Sequence, residues 1–249
     1  MAGQTLPITG LVAGTVSEDV LVCGDQQRAA RIASYLENAE LLSDQREYRS
    51  YKGIYRGMPI TVCSHGVGAP GAAIAFEELI VAGARRLIRV GTCGGLQPTI
   101  SEGHLVIATA AVQNSGYARE VAPLGYPAVA DARLTIALEE AAVAGDLPVS
   151  SGIVLTRDAF YNGVAAPHRP DYTVMSRANV LAVEMECAAI FTVAALRGVR
   201  AAAILAVDGN VLQELESVDT YRPHRDSVAH AVNAAIASAL HALSASGRA

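Results

Sequence analysis

The stretch from Arg86 to Gly95, RLIRVGTCGG, gathers residue types that could hold an anion. Leu87 to Val90 reads as a short buried strand, apolar and β-branched at Ile88 and Val90, with glycines after it. Arg89 interrupts that strand near its end, and a buried guanidinium is costly unless paired. Gly91, Thr92, Cys93, Gly94 and Gly95 then offer backbone N–H groups, small size and one hydroxyl. Together with a bidentate cation they make an oxyanion cradle. A strand-to-loop turn with Arg89 in a structural ion pair accounts for the same residues. A second cluster is Glu184-Met185-Glu186. A carboxylate accepts two hydrogen bonds from vicinal hydroxyls, which suits a sugar diol; acids opening a helix also pair with its dipole. Arg28 follows Gly24-Asp25 near a helix start, where the dipole disfavours a cation unless an anion sits between them. A solvated surface arginine is the simpler reading there.

These residues need a scaffold that brings strand ends together. Asp19 to Cys23 reads as a buried strand and Gln26 to Asn38 as a helix with Ala29, Ile32, Ala33 and Leu36 on one face. Arg49 to Tyr55 and Met58 to Ser64 are strands around an Arg56-Gly57 turn. Gly66 to Gly71 matches G-x-G-x-x-G before a helix that runs to about Ala82. The dinucleotide reading fails, because Leu87 to Val90 does not end in the acid that would hold an adenosine ribose, and Pro70 sits inside the motif. Further strands are expected at His104 to Ala111, Val149 to Leu155, Val180 to Val183 and Ala201 to Val207, the last ending in Asp208-Gly209-Asn210. Helices are expected at Leu134 to Ala144, Glu184 to Leu196 and Asp226 to Leu243. Residues 1–17 read as an irregular arm, 114–130 and 159–171 as loops, and 211–221 as a polar, mobile segment. Strands alternating with helices give an α/β class: residues 1–249 as one three-layer domain, a central mixed β-sheet flanked by helices, without repeats. In such sheets ligands bind at the carboxyl ends of strands, where the polar residues line up.

The totals narrow the partners. The chain has 249 residues, 51% hydrophobic and only 5% aromatic, so Ala, Val, Leu and Ile must build the core. A net charge of −5 argues against nucleic acid as the main partner. Cys23, Cys63, Cys93 and Cys187 are scattered, with no CxxC pair; that suggests neither a zinc site nor a disulfide framework and fits a reduced cytoplasmic protein. There is no basic, apolar leader, and no apolar run is long and uncharged enough to span a membrane.

Nearly the whole chain resembles the nucleoside phosphorylase family of the hexameric purine nucleoside phosphorylase and uridine phosphorylase type. Gly24-Asp25 with Arg28 is similar to its first phosphate loop, although Gln26-Gln27 replaces the usual residues after Gly-Asp. Gln45-Arg46-Glu47-Tyr48 resembles the segment that lends an arginine to a neighbouring subunit. His65-Gly66-Val67-Gly68 is similar to the purine-enzyme form of the next loop, and Arg89 to Gly94 to the central phosphate motif. Val183-Glu184-Met185-Glu186-Cys187-Ala188 resembles the ribose motif, the most specific of these.

The resemblance implies a pentosyltransferase that splits a nucleoside reversibly into free base and ribose 1-phosphate. Inorganic phosphate would be the co-substrate, with no metal or organic cofactor. Gly24, Arg28, Arg89 and Thr92 would hold phosphate, with Arg46 donated across a dimer interface in a homohexamer built as a trimer of dimers. Glu184, Met185 and Glu186 would hold the ribose; Cys93, Gly94, Phe160, Val183 and Asp208 would face the base. Keeping three arginines favours phosphorylase over the related hydrolases. The base is read from departures. Gln97-Pro98 and residues 122–131 look closest to the uridine branch, yet Phe160-Tyr161-Asn162-Gly163 is followed by Val164, Ala165 and Ala166, without the Gln and Arg that read uracil. An unpaired polar base loses roughly 1–3 kcal/mol per group. A purine is therefore expected, with Phe160 as the stacking wall and Asp208, shifted one residue from the family's Ser-Asp pair, as general acid. The arginine that assists this acid falls at His224 or Arg225. Ile8 replaces the usual His that reaches a neighbouring ribose pocket, which bears on the 5′ substituent. The alternatives are a uridine phosphorylase and a nucleoside-binding protein of the same fold without turnover.

Overall fold

In the computed structural model, residues 3–161, 170–213, 221 and 225–245 are described. Ten strands and seven helices alternate along them. The first half contains β1 (Asp19–Cys23), α1 (Gln26–Ala33), β2 (Glu37–Gln45), β3 (Tyr48–Tyr55), β4 (Met58–Ser64), α2 (Ala69–Ala82) and β5 (Arg86–Gly95). The second contains β6 (Leu105–Asn114), α3 (Gly116–Val121), β7 (Ala128–Val129), α4 (Ala132–Val143), β8 (Val149–Arg157), α5 (Tyr172–Arg177), β9 (Ala182–Glu184), α6 (Cys187–Arg197), β10 (Arg200–Asn210) and α7 (Asp226–Ala245).

All ten strands join one mixed sheet. β5, β10, β6, β8 and β9 pair in sequence, and β9 returns to β5, so these five close a ring. From β5 the sheet continues outward through β1, β4 and β3 to the edge strand β2. Successive side chains of a strand point to opposite faces, and here both faces are apolar because helices cover both. Val20, Val22, Leu87, Ala203 and Leu205 pack with α2 and α6. Leu21, Ile88, Val90, Ala202 and Ile204 pack with α1, α4 and α7. The expected three-layer α/β fold is therefore present.

Several boundaries differ from expectation, each for a physical reason. α1 stops at Ala33 and is followed by β2, whose residues Glu37 to Leu41 are exposed; a strand with no buried face carries no hydrophobic period to read. β5 does not end at Val90. Gly91 to Gly95 stay in the strand because β10 pairs one side through Asn210–Gly95 and β9 pairs the other through Val183–Gly94. Helix α6 begins at Cys187, so Glu184 closes β9 and Glu186 is the residue preceding the helix, rather than both lying in its first turn. The expected loop 114–130 contains α3 and β7, and α5 follows the 159–171 segment. The Arg56-Gly57 turn is confirmed, with φ of +50° and +78°. One helix, α7, does have the length and hydropathy to cross a membrane; more than half of it is buried in the protein, as befits a core helix.

Candidate functional site

A cavity of about 430 Å³ opens at the carboxyl ends of β1, β5, β8, β9 and β10. Its floor is Arg89. The side chain follows the face of Leu87, toward α6, and is 4% exposed. There Nη2 donates to Glu186 Oε2 and lies 3.5 Å from Glu184 Oε2. Nε and Nη1 have no hydrogen-bond partner among the described residues. Burial disfavours this cation, but the Glu186 and Glu184 carboxylates outweigh that and raise its pKa. Gly91 makes the position available: a Cβ there would lie 1.4 Å from Arg89 Nη1.

The two glutamates are held differently. Glu184 Oε1 accepts from Thr156 Oγ1 at 2.5 Å, and Oε2 accepts the Glu186 and Cys187 N–H groups at 2.7 and 2.8 Å. It thus satisfies the open N-terminus of α6. Glu186 Oε1 accepts from Gly68 N at 2.5 Å. Burial alone would raise its pKa; the Arg89 guanidinium, His65 and the Gly68 N–H outweigh that and hold it below the ordinary carboxylate range. His65 lies beside this group, its Nδ1–H donating to the Gly66 carbonyl at 2.8 Å. Burial, and then the Arg89 charge, push it down to about 4, so it is neutral at pH 7.

On the β1 side, Asp25 caps α1 by accepting from Arg28 N at 2.7 Å. Arg28 Nη1 donates to the Val90 carbonyl at 3.2 Å, while its Nε lies 3.5 Å from Asp25 Oδ2. Gly24 and Thr92 complete that wall. On β10, Val207 pairs with Cys93 and Gly209 with Gly94, so Asp208 is the extra residue of a β-bulge. Bulges re-aim side chains, and this one turns Asp208 into the cavity. Burial pushes its carboxyl up to about 6, against the hydrogen bond that Tyr221 donates to Oδ2 at 2.8 Å. The Phe160 ring meets Tyr221 edge-on, with centroids 5.0 Å apart.

Cys93, Gly94, Val183 and Met185 also line the cavity, so of the residues expected to hold phosphate, ribose or base only Arg46 is not in its lining. Arg46 is exposed at the tip of the β2–β3 turn with φ +55°, its carbonyl accepting from Gln26 Nε2 at 2.5 Å. Arg225 is paired with Glu102 at 2.5 Å, outside the cavity lining. His224, the absent uracil readers at 164–166 and most of the 211–221 segment lie outside the described residues. The cavity also contains residues that the sequence reading missed: Arg157, Tyr172 and Tyr221. Arg157 carried a usable signal, since it closes β8 directly after the buried run Val154-Leu155-Thr156. Among the described residues no group of three or more His, Cys, Asp or Glu is placed to hold a metal ion.

Fold and cavity define an α/β protein with guanidinium and carboxylate groups converging at strand ends, suited to an anion beside a diol. Residues 18–244 match the Phosphorylase superfamily, and the chain belongs to it. It is 38% identical over 223 residues to a uridine phosphorylase of Treponema pallidum (strain Nichols), covering 86% of each chain. It is 39% identical over 199 residues to a guanosine phosphorylase of Halorubrum lacusprofundi, covering 80% of this chain and 81% of that one. Its fold superposes on the purine nucleoside phosphorylase of Toxoplasma gondii in complex with immucillin-H with a TM-score of 0.88 and 35% identity, over 97% and 96% of the two chains. The activity is that of a nucleoside phosphorylase, a pentosyltransferase with inorganic phosphate as co-substrate.

Proposed function

We propose that the nucleoside is a purine ribonucleoside, and that residues 1–249 act as one domain in its reversible phosphorolysis. The observation that carries this reading is Asp208, a buried carboxyl with a pKa near 6, aimed into the cavity by the β10 bulge. Phosphate sits against Arg28, Thr92, Gly24 and the unpartnered Nε and Nη1 of Arg89. Glu186 takes the ribose hydroxyls while Glu184 holds the segment in place, with Met185 against the sugar. Phe160 stacks on the base, and Cys93, Gly94 and Val183 border it. A phosphate oxygen bonds to C1′ as the C1′–N bond breaks through an oxocarbenium-like centre. Asp208 gives its proton to the leaving base and regains one released by the phosphate. The arrangement acts by positioning, by general acid catalysis and by fixed charge.

Uridine phosphorolysis is the second reading, favoured by the identity to the Treponema pallidum protein. Base release from inosine, guanosine, adenosine and uridine, with and without phosphate, tests both. Phosphate-dependent release from a purine is expected. Release from uridine alone would overturn the purine assignment, release without phosphate would indicate hydrolysis, and binding without release would leave a nucleoside-binding protein. We further propose a homohexamer, a trimer of dimers, in which Arg46 completes the neighbour's phosphate site; its exposure at a turn tip, outside the lining of its own cavity, supports this. A fully active monomer in sedimentation would contradict it. Four buried cysteines without disulfides suit a cytoplasmic setting.

A further inference from the structure

Arg157 is a cation in the wrong place for phosphate. It ends β8, whereas Arg89 lies on β5, and β9 with its ribose carboxylates runs between them. Two strand spacings, about 10 Å, lie between β5 and β8. Strands β5, β9 and β8 thus bring Arg89, Glu184 and Arg157 to one cavity. Arg157 is 7% exposed and lines the cavity. Its Nη1 donates to the Tyr172 hydroxyl at 2.5 Å, and its guanidinium carbon lies 5.7 Å from that ring's centre. Among the described residues no carboxylate is paired with it. A guanidinium has five N–H donors and no acceptor, so a ligand facing it must offer lone pairs rather than N–H groups. Tyr172 fixes the plane of the fork and leaves donors for the base.

We propose that Arg157 reads a carbonyl oxygen of the base, and that it selects 6-oxopurine nucleosides over 6-aminopurine nucleosides. The inference rests on the purine reading above. A keto oxygen accepts from the guanidinium; an exocyclic amino group presents a donor to a donor, leaving buried polar groups unpaired on both sides, the arrangement that gives enzymes their largest discrimination.

The test is kcat/KM for inosine, guanosine and adenosine with saturating phosphate, in the wild-type protein, Arg157→Met and Arg157→Lys. The wild type should prefer inosine and guanosine over adenosine by about 10²-fold or more. In Arg157→Met the inosine-to-adenosine ratio should collapse by about 10²-fold, whatever common loss the substitution causes, with Arg157→Lys in between. A purely structural Arg157 would lower all three substrates alike and leave the ratio standing, which would overturn the inference. So would a wild type that uses adenosine as well as inosine, a result that needs no variant to fold. A wild type that phosphorolyses no purine at all defeats the purine reading itself and this selection with it, an outcome distinct from purine turnover without oxo-selectivity.

Discussion

Strand β5 carries two buried arginines three positions apart, and they have opposite fates. Arg86 faces the residue directly across from it, Asp19 of β1, in an ion pair: Nη2 donates to Oδ2 at 2.5 Å and Nε lies 2.5 Å from Oδ1. Arg89 has Val22 and Ala203 as cross-strand partners, neither able to neutralise it. It must reach out of the sheet to the β9–α6 junction, and it arrives with Nε and Nη1 unused. The same residue type is a structural ion pair when its partner lies in register, and part of a binding site when its partners do not use all its donors. Burial and charge do not distinguish the two; donor accounting does.

The sharpest way to break the comparison is Arg89→Lys. A point charge cannot span two carboxylates and a phosphate as a planar fork does, so phosphorolysis should fall by about 10³-fold in a steady-state assay. Arg86→Met should do the reverse. Leaving Asp19 buried without its partner should cost about 3–5 kcal/mol in urea unfolding, while turnover of the remaining folded protein stays within about threefold of wild type. The double change Asp19→Leu with Arg86→Met should recover most of that stability. If instead Arg86→Met abolishes turnover in folded protein, the contrast drawn between the two arginines is wrong.

Asp208→Asn sharpens the contrast from the acid side. Turnover of purines should drop by about 10²-fold, and the limb of the pH profile near 6 should vanish with it. Burial raises this carboxyl from 3.8 to about 6, so the folded chain binds the proton more tightly than the unfolded chain. The stability this contributes is complete below pH 3.8 and is lost as pH rises through 6. The amide cannot ionise, so the variant should be more stable than wild type above pH 6, by up to about 3 kcal/mol, and thermal melts at pH 4 and pH 8 would show it. Smallest of all, Thr156→Val removes one donor to Glu184 and the acceptor of the Ala188 N–H; about 1–2 kcal/mol of stability and a modest rise in KM for the nucleoside are expected.

The contrast also explains what could be read from the sequence. Arg89 and Thr92 stand out because polar residues interrupt an apolar run, and the Glu184-Met185-Glu186 cluster because two acids flank a Met just after one. That β5 runs on through its glycines could not be read, since the pairing that keeps Gly91 to Gly95 extended comes from β9 and β10, far along the chain. β2 was missed because Glu37 to Leu41 bury nothing. Tyr172 and Tyr221 were missed because an isolated tyrosine looks alike in a loop and in a cavity wall. The displaced acid at Asp208 was visible, but its cause, a one-residue bulge opposite Cys93 and Gly94, is a property of two strands and not of one.

The closed ring of strands has a consequence for motion. β5 pairs with β10 along its length, and on its other edge with β1 over Arg86–Val90 and with β9 at Gly94 and Gly95, while Gly91 to Cys93 open on that edge to the cavity. Local fraying does not expose the doubly paired stretch Arg86 to Val90, so its amide protons should be among the last to exchange with deuterated solvent, doing so only when the whole protein opens. The glycine-rich stretch, which by composition looks like the most pliant part of the chain, is held extended by β10 along one edge and by β9 at its end, so a phosphate arriving there meets backbone already in place.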